Sequence, residues 1–264
     1  MVIVAAVCVV SAQEAASTST PAAVVKEEGP STGFAFATTL DLYSAYVWRG
    51  AVINDRPVVQ PGATVSYATG DYGTFAANVW ANFDLTDRKG HTAFGGINEI
   101  DYTASYAIDV GPVSLSVGHI WYTFPKVSGP DYLEGTREVY FTAQYNNDIV
   151  NPFVKVYYDY DAVDSAYANF GVNKTVKVSD RLSVGSEVSV GVAEDDYRSF
   201  LYGGVSEGGL CDFNASLFAS YAITDHISVG PRVAWLSLLD SSRDGTFVDN
   251  QEVLWGGVNM SATF

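Results

Sequence analysis

Apolar and polar side chains alternate along this chain in segments of about ten residues, and from Phe34 onward the pattern predicts about twelve β-strands. The segments run 34–49, 60–69, 74–84, 97–108, 113–124, 136–146, 152–161, 165–178, 181–193, 209–223, 226–239 and 251–264. The segment ending at Phe264 shows the pattern most clearly. Leu254, Gly256, Val258, Met260, Ala262 and Phe264 share one face, while Trp255, Gly257, Asn259, Ser261 and Thr263 share the other. A strand of this length with one apolar and one polar face suits a membrane, with lipid on one side and water on the other. Glycine and β-branched residues are frequent throughout, so no helix is expected between the strands.

The connections sort by length. Those at 70–73, 109–111, 146–148, 179–180 and 224–225 are short and carry turn chemistry, whereas 50–59, 86–96, 125–135, 194–208 and 240–250 are long; the link near Ala162 is the short exception. Short turns on one rim and long loops on the other are expected of an outer-membrane barrel, and an even strand count places both termini on the short-turn, periplasmic rim. The expected fold is therefore all-β: a transmembrane antiparallel up-and-down β-barrel of about twelve strands, with ten or fourteen left open. The Phe264 ring on the lipid face resembles the assembly signal that Gram-negative barrels present to the barrel-assembly machinery.

Parity gives an independent check. Tyr67, Tyr106, Tyr145, Tyr221 and Phe264 fall near the short-turn ends of their strands, and Trp48, Phe83, Tyr160 and Trp235 near the long-loop ends, all on the outward face. Two aromatic belts bounding an apolar band are expected where amphipathic rings meet the two membrane interfaces. The inward face holds Asp41, Arg49, Asp84, Glu99, Asp101, Glu138, Lys155, Asp159, Asp161, Lys177, Glu187, Asp212 and Arg232. Charge on the lipid face costs up to about 2–4 kcal/mol, so inward placement follows whether or not the interior conducts. Parity slips at 113–122, where strict alternation faces His119 to lipid; a bulge near Gly118 would return it to the lumen.

Composition narrows the class. Only 17% of the 264 residues are charged while 14% are aromatic, and the mean hydropathy is +0.09. No apolar run approaches the ~20 residues of a spanning helix. The net charge of -16, without Lys/Arg clusters, excludes a nucleic-acid partner. Residues 1–12 read as a signal peptide: Val2 to Val10 are almost continuously apolar, and Val10-Ser11-Ala12 offers a cleavage site. The positive n-region is missing, so the true start is expected upstream. Residues 13–32, rich in Ala, Ser, Thr, Pro and Glu, read as a flexible periplasmic tail, and 33–264 as the barrel. Cys8 follows Val7 where a lipoprotein signal needs a small residue, and removal of the leader leaves Cys211 as the sole cysteine, which precludes an internal disulfide.

Tyr43-Ser44-Ala45-Tyr46-Val47-Trp48-Arg49-Gly50, with Asp55-Arg56-Pro57 and Gln60-Pro61 after it, resembles a known pattern. So do Trp80-Ala81-Asn82-Phe83-Asp84, Glu99-Ile100-Asp101-Tyr102 and Trp121-Tyr122-Thr123-Phe124-Pro125. Together they resemble the TorF-type porin family, small outer-membrane proteins long filed as conserved proteins of unknown function. The resemblance spans roughly Thr39 to Phe264 and implies a barrel and a pore, without a substrate or catalytic residues. The family usually has Phe where Trp48 stands, which keeps the aromatic belt intact.

With strands about 4.8 Å apart and tilted, twelve of them give a backbone radius of roughly 12 Å, so side chains leave a passage of a few ångströms. The expected function is passive passage of ions or small polar solutes, with nine inward acids against four bases favouring cations. A sealed barrel and a surface receptor share the same pattern. His226-Ile227-Ser228 has the His-x-Ser spacing of outer-membrane lipases, but it follows a short turn, at the rim away from where such chemistry sits, and reads as turn residues. His91 and His119 lack metal-ligand spacing, and Gly95-Gly96, Gly203-Gly204 and Gly208-Gly209 precede neither helix nor Lys, so neither metal nor cofactor is expected. Asp195-Asp196 reads as a solvated acidic loop, with a divalent ion bridging surface lipopolysaccharide as the sharper alternative. Outer-membrane lipids and lipopolysaccharide complete the expected partners.

Overall fold

The computed structural model describes residues 32–86, 96–125, 135–245 and 249–264; the expected leader and all but the last residue of the expected tail lie outside them. Twelve strands close into one antiparallel barrel: β1 (Thr32–Tyr43), β4 (Val58–Thr69), β5 (Thr74–Asp84), β6 (Ile97–Val110), β7 (Val113–Thr123) and β8 (Gly135–Tyr145), followed by β9 (Asn151–Asp159), β10 (Ser165–Lys177), β11 (Leu182–Ala193), β12 (Gly209–Ala222), β13 (Ile227–Leu238) and β14 (Glu252–Thr263). Between β1 and β4 lie β2 (Tyr46–Trp48) and β3 (Ala51–Asn54), which pair only with each other. Neighbours in sequence are neighbours in the barrel, and β1 closes it against both β14 and β4. The seam is completed by Phe264 and Phe36, each of whose N–H donates to the other's carbonyl, at 2.8 and 3.0 Å.

The wall follows the period-2 rule. Phe170, Val172, Leu217, Val233, Leu254 and Val258 stand exposed on the outside, whereas Asn169, Glu187, Ser189, Ser228 and Ser261 are buried inside. Aromatic pairs sit across neighbouring strands on the outer face, Phe34 on Tyr67 at 4.7 Å and Phe75 on Tyr106 at 4.9 Å near the short-turn rim. Such cross-strand pairs stabilise a sheet and fix its register.

β7 is regular from Val113 to Thr123 against both neighbours, so the expected bulge near Gly118 does not form. His119 stays outward, its Nε2 2.7 Å from the Tyr160 hydroxyl, which gives the ring a polar partner on that face. Gly118 has a different purpose. It lies opposite Tyr140, and a Cβ there would stand 2.5 Å from the Tyr140 ring, so the glycine is the space into which that ring folds. Gly118→Val is expected to destabilise the barrel by about 1–3 kcal/mol, the usual cost of overpacking, read as a lower urea midpoint for unfolding from detergent micelles.

Two further departures from the sequence pattern, and one short link that follows it, shape the interior. The first segment, expected as a single strand over 34–49, ends at Tyr43. Ser44 caps the ladder there, its N–H bonding the Gly256 carbonyl and its Oγ accepting from the Gly256 N–H, and the chain then turns inward as the β2–β3 hairpin. Arg49 and Gly50 form its tip with φ of 45° and 82°, as a two-residue type I′ turn requires. Second, a helix, α1 (Asp195–Tyr202), occupies the long connection where none was expected, and a 3-10 turn spans Asp240–Asp244. The β9–β10 link stays short because Asp159 Oδ1 accepts from the N–H groups of Asp161 and Val163, at 3.0 and 3.2 Å, folding the turn onto its own carboxylate. No helix among the described residues is long and apolar enough to cross a membrane.

Candidate functional site

The interior near the long-loop rim is built around Arg49. The inturned hairpin carries its guanidinium to Glu138 on β8, with Nη1–Oε1 at 2.7 Å and Nη2–Oε2 at 2.9 Å, a bidentate fork between two buried side chains. Tyr122 and Tyr197 each donate a hydroxyl to the same carboxylate, at 2.8 and 2.7 Å, and Arg49 also donates to Tyr197. Aromatic rings surround the cation: its Cζ lies 4.0 Å from the Tyr157 centroid, 4.6 Å from Trp48, 5.1 Å from Tyr167 and 5.5 Å from Tyr197. A guanidinium sheltered from water gains more from each such face than one at the surface.

Two other long loops converge on the same point. α1 inserts Tyr197, Arg198, Leu201 and Tyr202 into the interior, and Tyr202 donates its hydroxyl to the Arg49 carbonyl at 2.9 Å. Burial, with Asp212 beside it, pushes the Tyr202 phenol well above its ordinary value, so it remains a donor. The buried Arg198 ties α1 to the Asp240–Asp244 turn through Ser241 Oγ at 2.9 Å and Ser242 Oγ at 2.9 Å. Hairpin, helix and turn form one polar and aromatic constriction across the barrel.

The acids expected inside are placed as follows. Asp41, Asp84, Glu99, Asp101, Glu138, Asp159, Glu187 and Asp212 are buried on inward positions, with Lys155 and Arg232 half-buried among them. Asp84 accepts from Asn54, Asn82 and Asn98 at 2.6, 3.1 and 2.9 Å. Asp41 accepts from Asn259, and Asp212 from Tyr167 and Asn214. Glu99 takes a bond from Tyr46, while the neighbouring Asp101, 1% exposed, has its Oδ1 without a hydrogen-bond partner among the described residues.

Two of the expected inward charges stand elsewhere. Asp161 is 43% exposed and pairs at 3.6 Å with Arg137, whose guanidinium lies 5.7 Å from the centroid of the outward Trp121, so it belongs to the rim. Lys177, 53% exposed, pairs with Asp180 at the short-turn rim. Both lie at or beyond the end of a strand, where parity no longer fixes direction. Among the expected interface aromatics, Tyr67, Tyr145, Tyr160, Tyr221, Trp235 and Phe264 are exposed, and Phe83 and Tyr106 are half-buried on outward positions. Trp48 departs: only 9% exposed, it packs inside against Tyr122 and Tyr197 because its hairpin has left the wall.

Below Arg49 a small polar cavity of ≈ 30 Å³ lies between β10, β11, β12 and β13, lined by the polar side chains of Asn169, Ser189, Asn214 and Ser216 and by Glu187 and Arg232. The lipase spacing does not assemble a base and nucleophile. His226 stacks on Phe264 and bonds the Thr263 carbonyl through Nδ1, whereas Ser228 bonds Ser261 inside the barrel. Asp195 and Asp196 are exposed in the first turn of α1.

A closed antiparallel barrel with an apolar exterior and a polar interior defines the outer-membrane β-barrel fold. More particularly, the chain belongs to the Gcw_chp family of bacterial proteins of unknown function, whose family model matches residues 27–225. Among solved structures it is similar to an outer-membrane channel from Pseudomonas putida F1, at 11% identity and a TM-score of 0.55 over 89% of this chain and 96% of that one. It is also similar to the NanC porin, at 12% identity and a TM-score of 0.51 over 86% of this chain and 98% of that one. At such identities the likeness shows the fold alone. No curated protein matches the chain in sequence.

Proposed function

We propose that the protein is a passive outer-membrane channel for ions and small polar solutes, narrowed by the Arg49 hairpin and weakly cation-preferring. The observation that carries this reading is the combination of a lipid-compatible outer face with an interior lined by buried charged and polar side chains. The resemblance to TorF-type porins points the same way. Both ends of the described barrel lie on the short-turn rim, which in this reading faces the periplasm after export through the leader at 1–12 and insertion by the barrel-assembly machinery. Outer-membrane lipids surround the wall, and lipopolysaccharide meets the long-loop side. We read no enzyme in it, since His226 and Ser228 are committed to other partners.

The charge balance supports the cation preference. With Asp161 and Lys177 at the rims, eight inward acids outnumber the inward Arg49, Lys155 and Arg232 together with the buried Arg198 of α1. Repulsion of anions in a narrow, partly dehydrated passage exceeds its value in bulk water. Reversal potentials of the refolded protein across a salt gradient are expected to show cations favoured, and neutralising Glu99 and Asp101 together (E99Q/D101N) should lower that ratio. An anion-selective current defeats this reading. One observation favours a mostly closed resting state: the hairpin, α1 and the Asp240–Asp244 turn are bonded to one another across the barrel.

A further inference from the structure

The outward face of β10 and β11 is a ladder of apolar rungs with one exception. In register, Phe170 faces Val190, Val172 faces Val188 and Val176 faces Val184. Between the last two rungs, Lys174 faces Ser186. Asn173 bonds Gln144 inside the barrel and Glu187 is buried there, so alternation turns Lys174 and Ser186 to the lipid side. Lys174 Nζ donates to the Asn147 carbonyl of the neighbouring short turn at 2.7 Å, and no carboxylate pairs with it among the described residues. A lysine on such a face keeps its methylenes in the apolar band and bends its ammonium toward the headgroups. One neutral carbonyl takes one of its donors and none of its charge.

The rim below sets this lysine apart. Each short turn carries an aspartate: Asp71, Asp109, Asp148, Asp180 and Asp225. Lys and Arg gather at only one of these turns, where Lys174 and Lys177 end β10 and Arg181 follows. Lys177 is paired with Asp180, whereas Arg181 is exposed and makes no ion pair among the described residues. Asp148, next to Asn147, is exposed and does not pair with Lys174. An acidic rim thus has one edge that attracts anions.

We propose that Lys174 and Ser186, with Arg181 at the turn below, form a site for the phosphate of an inner-leaflet phospholipid. Its acyl chains lie along the exposed Phe170, Val172 and Val188. The inference rests on the reading that sets the short-turn rim at the periplasm, where inner-leaflet headgroups lie. A phosphate is the anion available at that level, and an ammonium beside a hydroxyl offers it both charge and hydrogen bonds.

The test is native mass spectrometry of the refolded full-length barrel with phosphatidylglycerol, against diacylglycerol of the same chains and lipid A. A single retained phosphatidylglycerol is expected, with diacylglycerol lost at the same collision energy. Lys174→Gln should cut the retained fraction about tenfold, as loss of one charge-assisted contact implies. Lys174→Arg should keep it, and Arg181→Gln should weaken it less. Arg56→Gln removes a base from the opposite rim and should change nothing. Heat-modified electrophoretic migration verifies that each variant is folded. Orientation is read separately: Ser179→Cys should resist a bulky maleimide-polyethylene glycol in intact cells and react once the outer membrane is broken. Equal retention of phosphatidylglycerol and diacylglycerol, or equal retention by Lys174→Gln and Arg56→Gln, overturns the site. Labelling of Ser179→Cys in intact cells, or preference for lipid A, overturns the periplasmic orientation and with it the phospholipid as ligand.

Discussion

Replacing Glu138 with alanine is expected to raise the single-channel conductance several-fold while the barrel stays folded. Glu138 bonds Arg49 in a fork, and it gathers Tyr122 and Tyr197 as well. Its removal breaks a buried, hydrogen-bonded ion pair, a loss of up to about 3–5 kcal/mol. That penalty falls on the inturned state of the hairpin and not on the wall, because β2 and β3 pair only with each other and reach the barrel through side chains. About 5.5 kcal/mol suffices to move a two-state element from 1:99 to 99:1, so most of such a shift is within reach. Arg49→Ala should give a smaller rise. It empties the aromatic box but leaves Glu138 able to keep the hydroxyls of Tyr122 and Tyr197. An Arg49→Lys variant should behave more like alanine than like the parent, since an ammonium cannot make the fork. Unchanged conductance in folded Glu138→Ala protein would show that the hairpin does not control the passage.

Phe264→Asp is expected to cut the yield of outer-membrane-inserted protein severely, with little change in the interior of whatever barrel forms. The substitution preserves both backbone bonds to Phe36 that close the seam. What it changes is the ring, 66% exposed on the outer face and stacked on His226 at 5.8 Å with planes 15° apart. An acid on the lipid side near the interface costs less than one at mid-membrane, so the effect should appear in insertion more than in equilibrium stability. Fractionated membranes, probed for the heat-modifiable form, measure it. Equal yields for mutant and parent would remove any special role for this ring.

The wall was readable from sequence because one period governs it everywhere. Each segment from β4 to β14 keeps its alternation long enough to fix direction, and Tyr67, Tyr145 and Trp235 point outward for that reason. What fills the wall was less readable. Segment 34–49 exceeds the roughly 9–11 residues a spanning strand needs, and this excess, with Arg49-Gly50 as turn residues, was the available sign that the chain leaves the wall before Trp48. α1 also left a trace: Tyr197, Arg198, Leu201 and Tyr202 recur at helical spacing, acids occupy the first turn, and Gly203 ends it. Within a connection flanked by strands, eight residues are too few for propensity to decide. The inward tyrosines Tyr157 and Tyr167 lie on the inward parity of their strands, and Tyr122 does so because β7 has no bulge. Their convergence on one arginine from a separate hairpin depends on contacts far apart in sequence, which no local pattern encodes. Gly118 looked like a bulge because a glycine in a strand often marks one; here a facing ring needed the room.

Single-channel recording in a planar bilayer, comparing the refolded parent with Glu138→Ala, tests the channel and its constriction together. A lumen narrowed by the Arg49 hairpin predicts small, discrete, weakly cation-selective steps from the parent and clearly larger ones from the variant. Silence from both proteins, each shown to be folded and inserted, would contradict a conducting lumen.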